Sequence, residues 1–404
     1  MEQPKYPASW SMFQRFLVKQ IQESMKSIGR NSGRKSAAPQ SEINHALMSA
    51  IEWLLYFFCL MDRSKISNLA LSITHLTIPR VPTIGFENNV KGTFSAEWIV
   101  PSGATDDTPV ILYSHGGGYV VGSTLTHRTI TMGLAKRGVR VLSINYRLSP
   151  KNPFPAALTD GVSAYKYLLT EMKIPPSKIV LSGDSAGGNL ALAIAMFCRD
   201  QRIPMPSGIA PLTPWCDLSG NSPCTFIEDE FSADILSGGR GFTALGKLYA
   251  KVPSYMSLPY VSPIHDIPSK AAPLPPMFFT TGTVDRLAPE IFAMFLKRVD
   301  AGETCQLYIF QDQMHAFQLL SFVPSSSTAL DLEVEFVKKV TAGIPIQTAV
   351  CTVMPDGQRI EELTLDNVRN MLKSLIDRGT RAVKNDEVAV KVFAPYVQAI
   401  RSKL

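Results

Sequence analysis

Cysteine, histidine and charge are all sparse in this 404-residue chain, and each scarcity excludes a class of protein. The six cysteines (Cys59, Cys198, Cys216, Cys224, Cys305 and Cys351) form no CxxC pair and no metal-type spacing, which points to reduced thiols rather than a zinc module or a disulfide framework. Charged residues make up 18% of the chain, with a net charge of +6 and no block of one sign, so neither a nucleic-acid surface nor a disordered tail is indicated. The opening MEQPKYPASW lacks the charged n-region and apolar core of a secretory signal. The strongest apolar run, Trp53 to Met61 (WLLYFFCLM), is far short of the ~20 residues of a membrane span and reads as a buried or lid helix.

Apolar residues, by contrast, make up 45% of the chain, enough for a large core. Residues 1–75 are predicted to be helical: SWSMFQRFLVKQIQESMKSI and INHALMSAIEWLLYFFCLMD carry helical apolar spacing on either side of the polar linker GRNSGRKSAAPQSE. From residue 76 the pattern becomes β-rich, and VKGTFSAEWIVP reads as an edge strand ending in the turn SGATDDTP. Three short apolar strands follow, each leading through a loop into a helical stretch: PVILYSHGGG, VRVLSINYRL and KIVLSGDSAGG. PMFFTTGTVD and CQLYIFQDQMH repeat the scheme, and a helix over DLEVEFVKKVTAGI is expected to close the unit. Continuous apolar strands alternating with helices indicate an α/β fold, a mainly parallel sheet with helices on both faces. The Pro/Gly-rich stretch 205–276 is predicted to supply helices or loops over the carboxyl edge of that sheet. The chain thus divides into an N-terminal helical region at 1–75, an α/β domain at 76–342 and a small appended extension at 343–404. The extension carries a hairpin around Pro355-Asp356-Gly357 and a helix over LDNVRNMLKSLIDRGTRA.

Ser185 stands two residues from a glycine on either side, in Gly183-Asp184-Ser185-Ala186-Gly187, between a predicted strand and a predicted helix. A tight turn needs such small residues and nothing more. A nucleophile elbow needs the same turn, plus a base, an acid and an anion-binding loop elsewhere. His115-Gly116-Gly117-Gly118 supplies the loop: it too follows a strand, and the N–H groups of Gly116, Gly117 and Gly118 can converge on the oxyanion of a tetrahedral intermediate. A phosphate loop would continue into G-K-[ST] or show G-x-G-x-x-G spacing, and neither is present there. His115 reads as a support of this loop rather than as the base.

Only six histidines occur (His45, His75, His115, His127, His265 and His315), and His315 alone follows the last strand of the repeating scheme, as the chain order nucleophile, acid, base requires. Asp285, in the loop after PMFFTTG, is the acid that would orient the imidazole, with Asp312, Glu290 and Asp300 as rivals. The self-consistent set is Ser185, Asp285 and His315, and it calls for no metal or organic cofactor.

The blocks HGGG, NYRLSPKNPFPAALTD, GDSAGG, GTVDRL and MHAF together resemble the hormone-sensitive-lipase-like branch of the α/β-hydrolases, over residues 85–342. The resemblance implies an α/β-hydrolase fold with an N-terminal helical cap and a serine carboxylic-ester hydrolase activity. It also implies the triad Ser185, Asp285 and His315, oxyanion donors at Gly117, Gly118 and Ala186, and a structural carboxylate at Asp160. Two departures are visible. Ala288-Pro289 stands where the family often has a further acid, and residues 343–404 have no counterpart in the family's usual core.

Ser402-Lys403-Leu404 matches a peroxisomal address read by an import receptor, which implies a hydrolase of the peroxisomal matrix in a eukaryote. In that setting the chain is similar to the hydrolases of fungal host-selective toxin pathways, those of AK-type toxins among them. The expected substrate is a small or medium apolar acyl ester. An acyltransferase or thioesterase built on the same triad is the second reading. A non-catalytic ligand receptor would be expected to have lost a triad member, and an epoxide hydrolase would carry an aspartate where Ser185 stands.

Overall fold

Strands that are apolar at every position need cover on both faces, and the computed structural model of the chain shows how they get it. It describes residues 6–16, 18, 19, 22, 71–82, 85, 91–222, 227, 233–236 and 240–383. The strands are β1 (Leu71–Pro79), β2 (Thr93–Pro101), β3 (Val110–Ser114), β4 (Arg140–Ile144), β5 (Ile179–Asp184), β6 (Gly208–Leu212), β7 (Met277–Gly282), β8 (Cys305–Phe310), β9 (Ala349–Val353) and β10 (Ile360–Leu363). They form one sheet in the order β1-β2-β4-β3-β5-β6-β7-β8-β9-β10. Pairing is parallel from β4 to β9, and antiparallel at β1–β2, β2–β4 and β9–β10. The main helices are α1 (Arg128–Lys136), α2 (Ala156–Thr170), α3 (Ala186–Asp200), α4 (Arg240–Ala250), α5 (Ala288–Asp300), α6 (Pro324–Thr341) and α7 (Leu365–Val383).

Every residue of β3, β4, β5, β6 and β7 is buried. Their side chains alternate between the two faces, as the two-residue period of a strand requires. Leu112, Leu142, Leu181 and Phe279 join α2, α3, α5 and α7 in one core cluster. Ile111, Val141, Val180 and Phe278 join α1 and α6 in the other. Each fully buried Leu, Ile or Phe side chain contributes about 1.5–3 kcal/mol, so the sheet is a stiff platform for the loops at its ends. β4 and β5 flank β3, so the chain reverses its winding direction there. Such a reversal, at the carboxyl ends of the strands, is where open α/β sheets place their ligand sites.

Four expectations need correction. β1 begins at Leu71, inside the region expected to be helical, and it displaces β2 from the edge position. Most of its residues are exposed or half-buried, so its apolar signal is weak. β6 lies within 205–276, a stretch expected to hold only helices and loops. Pro211 interrupts this central strand, and its register with β7 holds only at Ile209 and Leu212. Finally, the C-terminal hairpin and helix form as expected but not as a separate unit. β9 extends the main sheet alongside β8, and Val368, Leu372 and Ile376 of α7 are buried in the same core as α5.

Helical residues 12–16, 18, 19 and 22 agree with the first predicted helix, whereas INHALMSAIEWLLYFFCLMD lies outside the described residues. Cys198, Cys216, Cys305 and Cys351 are buried free thiols, and Cys59 and Cys224 lie outside the described residues. Among the described residues, no helix is long and apolar enough to cross a membrane.

Candidate active site

Ser185 is the only residue between Ile179 and Cys198 that is not buried. It sits between β5 and α3 with φ 55° and ψ −120°, a conformation that side-chain-bearing residues rarely adopt. Three backbone hydrogen bonds over-determine it: Ser185 N–H donates to the Leu212 carbonyl, and its own carbonyl accepts from Asn189 and Trp215. The flanking glycines have a steric reason. A Cβ at Gly183 or at Gly187 would collide with the Ser114 carbonyl at the end of β3. The turn is therefore pressed against the neighbouring strand and lifts one hydroxyl above it. Among the described residues, the hydroxyl itself has no hydrogen-bond partner.

The loop that Ser185 faces is held from below. Asp184 is buried, and its Oδ1 accepts from the Tyr113 hydroxyl at 2.6 Å and from Gly116 N–H at 2.9 Å. Its Oδ2 lies 3.3 Å from His127 Nε2. Burial works against the Asp184 charge, but His127 and the Tyr113 hydroxyl outweigh it and pull the carboxyl down to about 2. His115 Nδ1 donates to the Gly116 carbonyl at 2.7 Å, and the ring stacks on Tyr146 with centroids 4.2 Å apart. Burial, reinforced by His127, lowers its pKa to about 3, so His115 is a neutral wedge under the loop.

This arrangement corrects one expected donor. Gly116 N–H is committed to Asp184 and is not available to an oxyanion. Among the described residues, the N–H groups of Gly117, Gly118 and Ala186 make no hydrogen bond, and Ala186 is the first residue of α3, where the helix leaves its N–H groups open. Gly117 has φ 112° and a Cβ there would strike the Val121 carbonyl, so only glycine allows the loop to bend this way.

Asp285 and His315 come from the loops after β7 and β8. His315 Nδ1 lies 3.1 Å from Asp285 Oδ1, and both residues are buried. Asp285 is fixed in turn by Leu287 N–H on Oδ1 and the Thr281 hydroxyl on Oδ2. His315 Nε2 is buried with no hydrogen-bond partner among the described residues. Burial would lower the imidazole's pKa. The charge and hydrogen bond of Asp285, with the charges of Asp234 and Asp184, outweigh burial and hold it above its ordinary 6.5.

The rival acids are engaged elsewhere. Asp312 accepts from the Ser9 hydroxyl, Glu290 from the N–H groups of Cys216 and Asp217, and Asp300 from Arg369. Asp160 is buried between Arg80 and Arg147, a structural role as expected. Of the remaining histidines, His75 is exposed beside Glu97, His265 lies 3.9 Å from Asp217, and His45 is outside the described residues. Ser402, Lys403 and Leu404 are outside them as well. Among the described residues, no group of three or more His, Cys, Asp or Glu side chains could hold a metal ion.

Two carboxylates in contact with this constellation were not singled out from the sequence. Asp184 occupies a variable position of its motif, and nothing local shows that its partners are Tyr113 and His127. Asp234 lies far from every motif in the chain, in FSADILS, and reaches the site only through the fold.

The family described as alpha/beta hydrolase fold matches residues 111–319. An acetyl-hydrolase of Streptomyces hygroscopicus is 32% identical over 254 residues, 62% of this chain and 81% of the relative. An ethyl acetate hydrolase of Pseudomonas putida is 29% identical over 235 residues, 57% of this chain and 72% of the relative. The crystal structure of an esterase from the bacterial hormone-sensitive lipase family superimposes with a TM-score of 0.62 at 27% identity, covering 80% of this chain and 98% of the other.

Proposed function

Because the chain belongs to the α/β-hydrolase fold family, in its hormone-sensitive-lipase-like esterase branch, we propose that it cleaves carboxylic esters with Ser185 as nucleophile, His315 as base and Asp285 as the orienting acid. The observation that supports this most is the state of His315. Its Nδ1 is held by a buried carboxylate and its Nε2 has no partner among the described residues, which is the orientation a general base needs.

As Ser185 Oγ attacks the ester carbonyl, its proton passes to His315 Nε2. The imidazolium so formed is stabilised by Asp285, to which Nδ1–H remains donated. Negative charge develops on the carbonyl oxygen, where the N–H groups of Gly117, Gly118 and Ala186 meet it without reorganisation. The imidazolium then returns its proton to the departing alkoxide, and the alcohol leaves an acyl-Ser185. Water attacks that acyl group by the same route and releases the acid.

Short acyl groups are the expected substrates, because two relatives are named as an acetyl-hydrolase and an ethyl acetate hydrolase. Purified protein is expected to hydrolyse p-nitrophenyl acetate and butyrate faster than the decanoate. Because the base must be neutral, kcat/KM should fall about tenfold per pH unit once the pH drops below the raised His315 pKa. The acid limb should therefore lie above pH 6.5. A flat profile down to pH 5, or inactivity on every ester of the series, contradicts this assignment.

Where Leu404 is the free C-terminus, Ser402-Lys403-Leu404 supports import into peroxisomes. The resemblance to toxin-pathway hydrolases extends this to a peroxisomal step of secondary metabolism. A fluorescent protein fused ahead of Met1 should be punctate in a fungal cell and coincide with a peroxisomal marker. Removal of residues 402–404 should make it diffuse, and unchanged puncta would refute the assignment.

A further inference from the structure

We infer that Asp234 is a positioning residue that sets the distance between the acid and the base; this rests on the ester-hydrolase reading of Ser185, Asp285 and His315. Asp234 is fully buried, and its one carboxylate spans two loops. Oδ1 accepts the backbone N–H of His315 at 3.0 Å, and Oδ2 accepts the backbone N–H of Arg286, the residue after Asp285, at 2.6 Å. The Asp285–His315 contact closes a ring: Asp234, the His315 backbone, the imidazole, the Asp285 carboxylate, the Arg286 backbone, and back to Asp234.

The His315 loop needs such an external hold. It passes through the left-handed region at Asp312 (φ 59°) and at Ala316 (φ 50°), so no regular ladder fixes its course. A carboxylate that accepts two backbone N–H groups from different loops fixes their relative position more tightly than either loop could alone. The imidazole rides on that backbone, and a shift on the order of 1 Å at the ring is enough to lower turnover about a hundredfold.

Asp234 is anchored from the far end of the chain. Its backbone carbonyl accepts from Gln22 Nε2 at 2.7 Å, and Gln22 is buried. The same N-terminal segment holds the other end of the His315 loop, where the Trp10 indole N–H donates to the Asp312 carbonyl and the Ser9 hydroxyl to its carboxylate. The segment 6–22 thus reaches the base at two points, one directly and one through Asp234.

Asp234→Asn tests this with the least change of shape, because an amide can accept one of the two N–H groups and must set its own NH₂ against the other. Active sites are counted with diethyl p-nitrophenyl phosphate taken to completion, and p-nitrophenyl butyrate hydrolysis is expressed per counted site. His315 serves both acylation and deacylation, so displacing it slows both steps. The expected result is a ten- to hundredfold fall in kcat with KM within threefold of wild type. Gln22→Met, which removes the donor to the Asp234 carbonyl together with the acceptor of the Tyr6 hydroxyl, should show the same pattern at two- to fivefold, and it decides the matter if Asp234→Asn does not fold. A kcat per site within twofold of wild type in Asp234→Asn, or a loss lying wholly in the number of countable sites, overturns the inference. In a misfolded Asp234→Asn background, an unchanged kcat per site in Gln22→Met overturns it too. Wild type and Ser185→Ala run in parallel: if they do not differ, the ester-hydrolase reading itself has failed, whereas a full difference between them with unaltered Asp234→Asn refutes the positioning role alone.

Discussion

Ser185→Ala abolishes ester turnover, lowering kcat by about 10⁵–10⁶-fold, while leaving the folded protein almost untouched. The two halves of this expectation come from different features of the turn. The strain at φ 55° resides in the backbone and is held by the Leu212, Asn189 and Trp215 contacts, all of which alanine preserves. The Oγ has no hydrogen-bond partner among the described residues, so its removal leaves none of their buried groups unsatisfied. The stability change should stay within about 0.5 kcal/mol, as for substitutions that disturb neither packing nor polar partners. Circular-dichroism melting beside steady-state kinetics on p-nitrophenyl butyrate checks both. A residual rate within a hundredfold of wild type would mean that another group attacks the ester. A fall in melting temperature of many degrees would mean that the serine is there for the turn.

Asp285→Asn is the second large effect, with an expected loss of roughly 10³–10⁴ in kcat. Leu287 N–H donates to Oδ1, the same oxygen that meets His315 Nδ1, so the amide oxygen is held in that place and the ring keeps a partner. What is lost is charge. The imidazolium that forms when Ser185 gives up its proton no longer faces a carboxylate, in a site buried enough for that to matter. A second signature follows. Burial lowers the His315 pKa and Asp285 is the largest influence opposing it, so neutralising Asp285 must move the acid limb of kcat/KM to lower pH. A pH–rate series on wild type and variant distinguishes this from simple misfolding, which would scale the whole profile down without shifting it. An unshifted limb would show that Asp285 does not set the charge of the base.

Much of this site can be read from local pattern because its parts follow one rule: each stands just beyond the carboxyl end of a strand. The runs VILYS, KIVLSGD, MFFTTG and CQLYIF are continuous and apolar because they are covered on both faces, and continuity is easy to see in a sequence. His115, Ser185, Asp285 and His315 could therefore be placed by counting past strand ends. β6 follows the same rule but contains Pro211, which reads as a breaker, and the structure accommodates it through an incomplete register with β7. β1 was hidden for the opposite reason, since its exposed positions dilute the alternation. The supporting carboxylates were illegible in a deeper sense. Asp184 and Asp234 are buried charges whose meaning lies in their partners, and those partners are contributed by elements 71 and 81 positions away in the chain, at Tyr113 and His315. No spacing rule connects them. The commitment of Gly116 N–H to Asp184 belongs to the same class, which is why the glycine loop looked like three equivalent donors.

The connection from the N-terminal segment to the base gives helical residues such as Gln22 a part in the chemistry besides covering the sheet. Gln22 and Trp10 touch the loops on which Asp234 and His315 sit, and act on the base through them. Changes there should therefore register as turnover rather than as affinity.

The central claim is that Ser185 is the nucleophile, and covalent trapping tests it most directly. Wild-type protein incubated with diethyl p-nitrophenyl phosphate should gain one diethylphosphoryl group, release one equivalent of p-nitrophenolate and lose its esterase activity in proportion. Peptide mass spectrometry should then place the added mass on Ser185, and Ser185→Ala protein should remain unlabelled. A label on another residue, or full ester hydrolysis by protein completely modified at Ser185, would contradict the account.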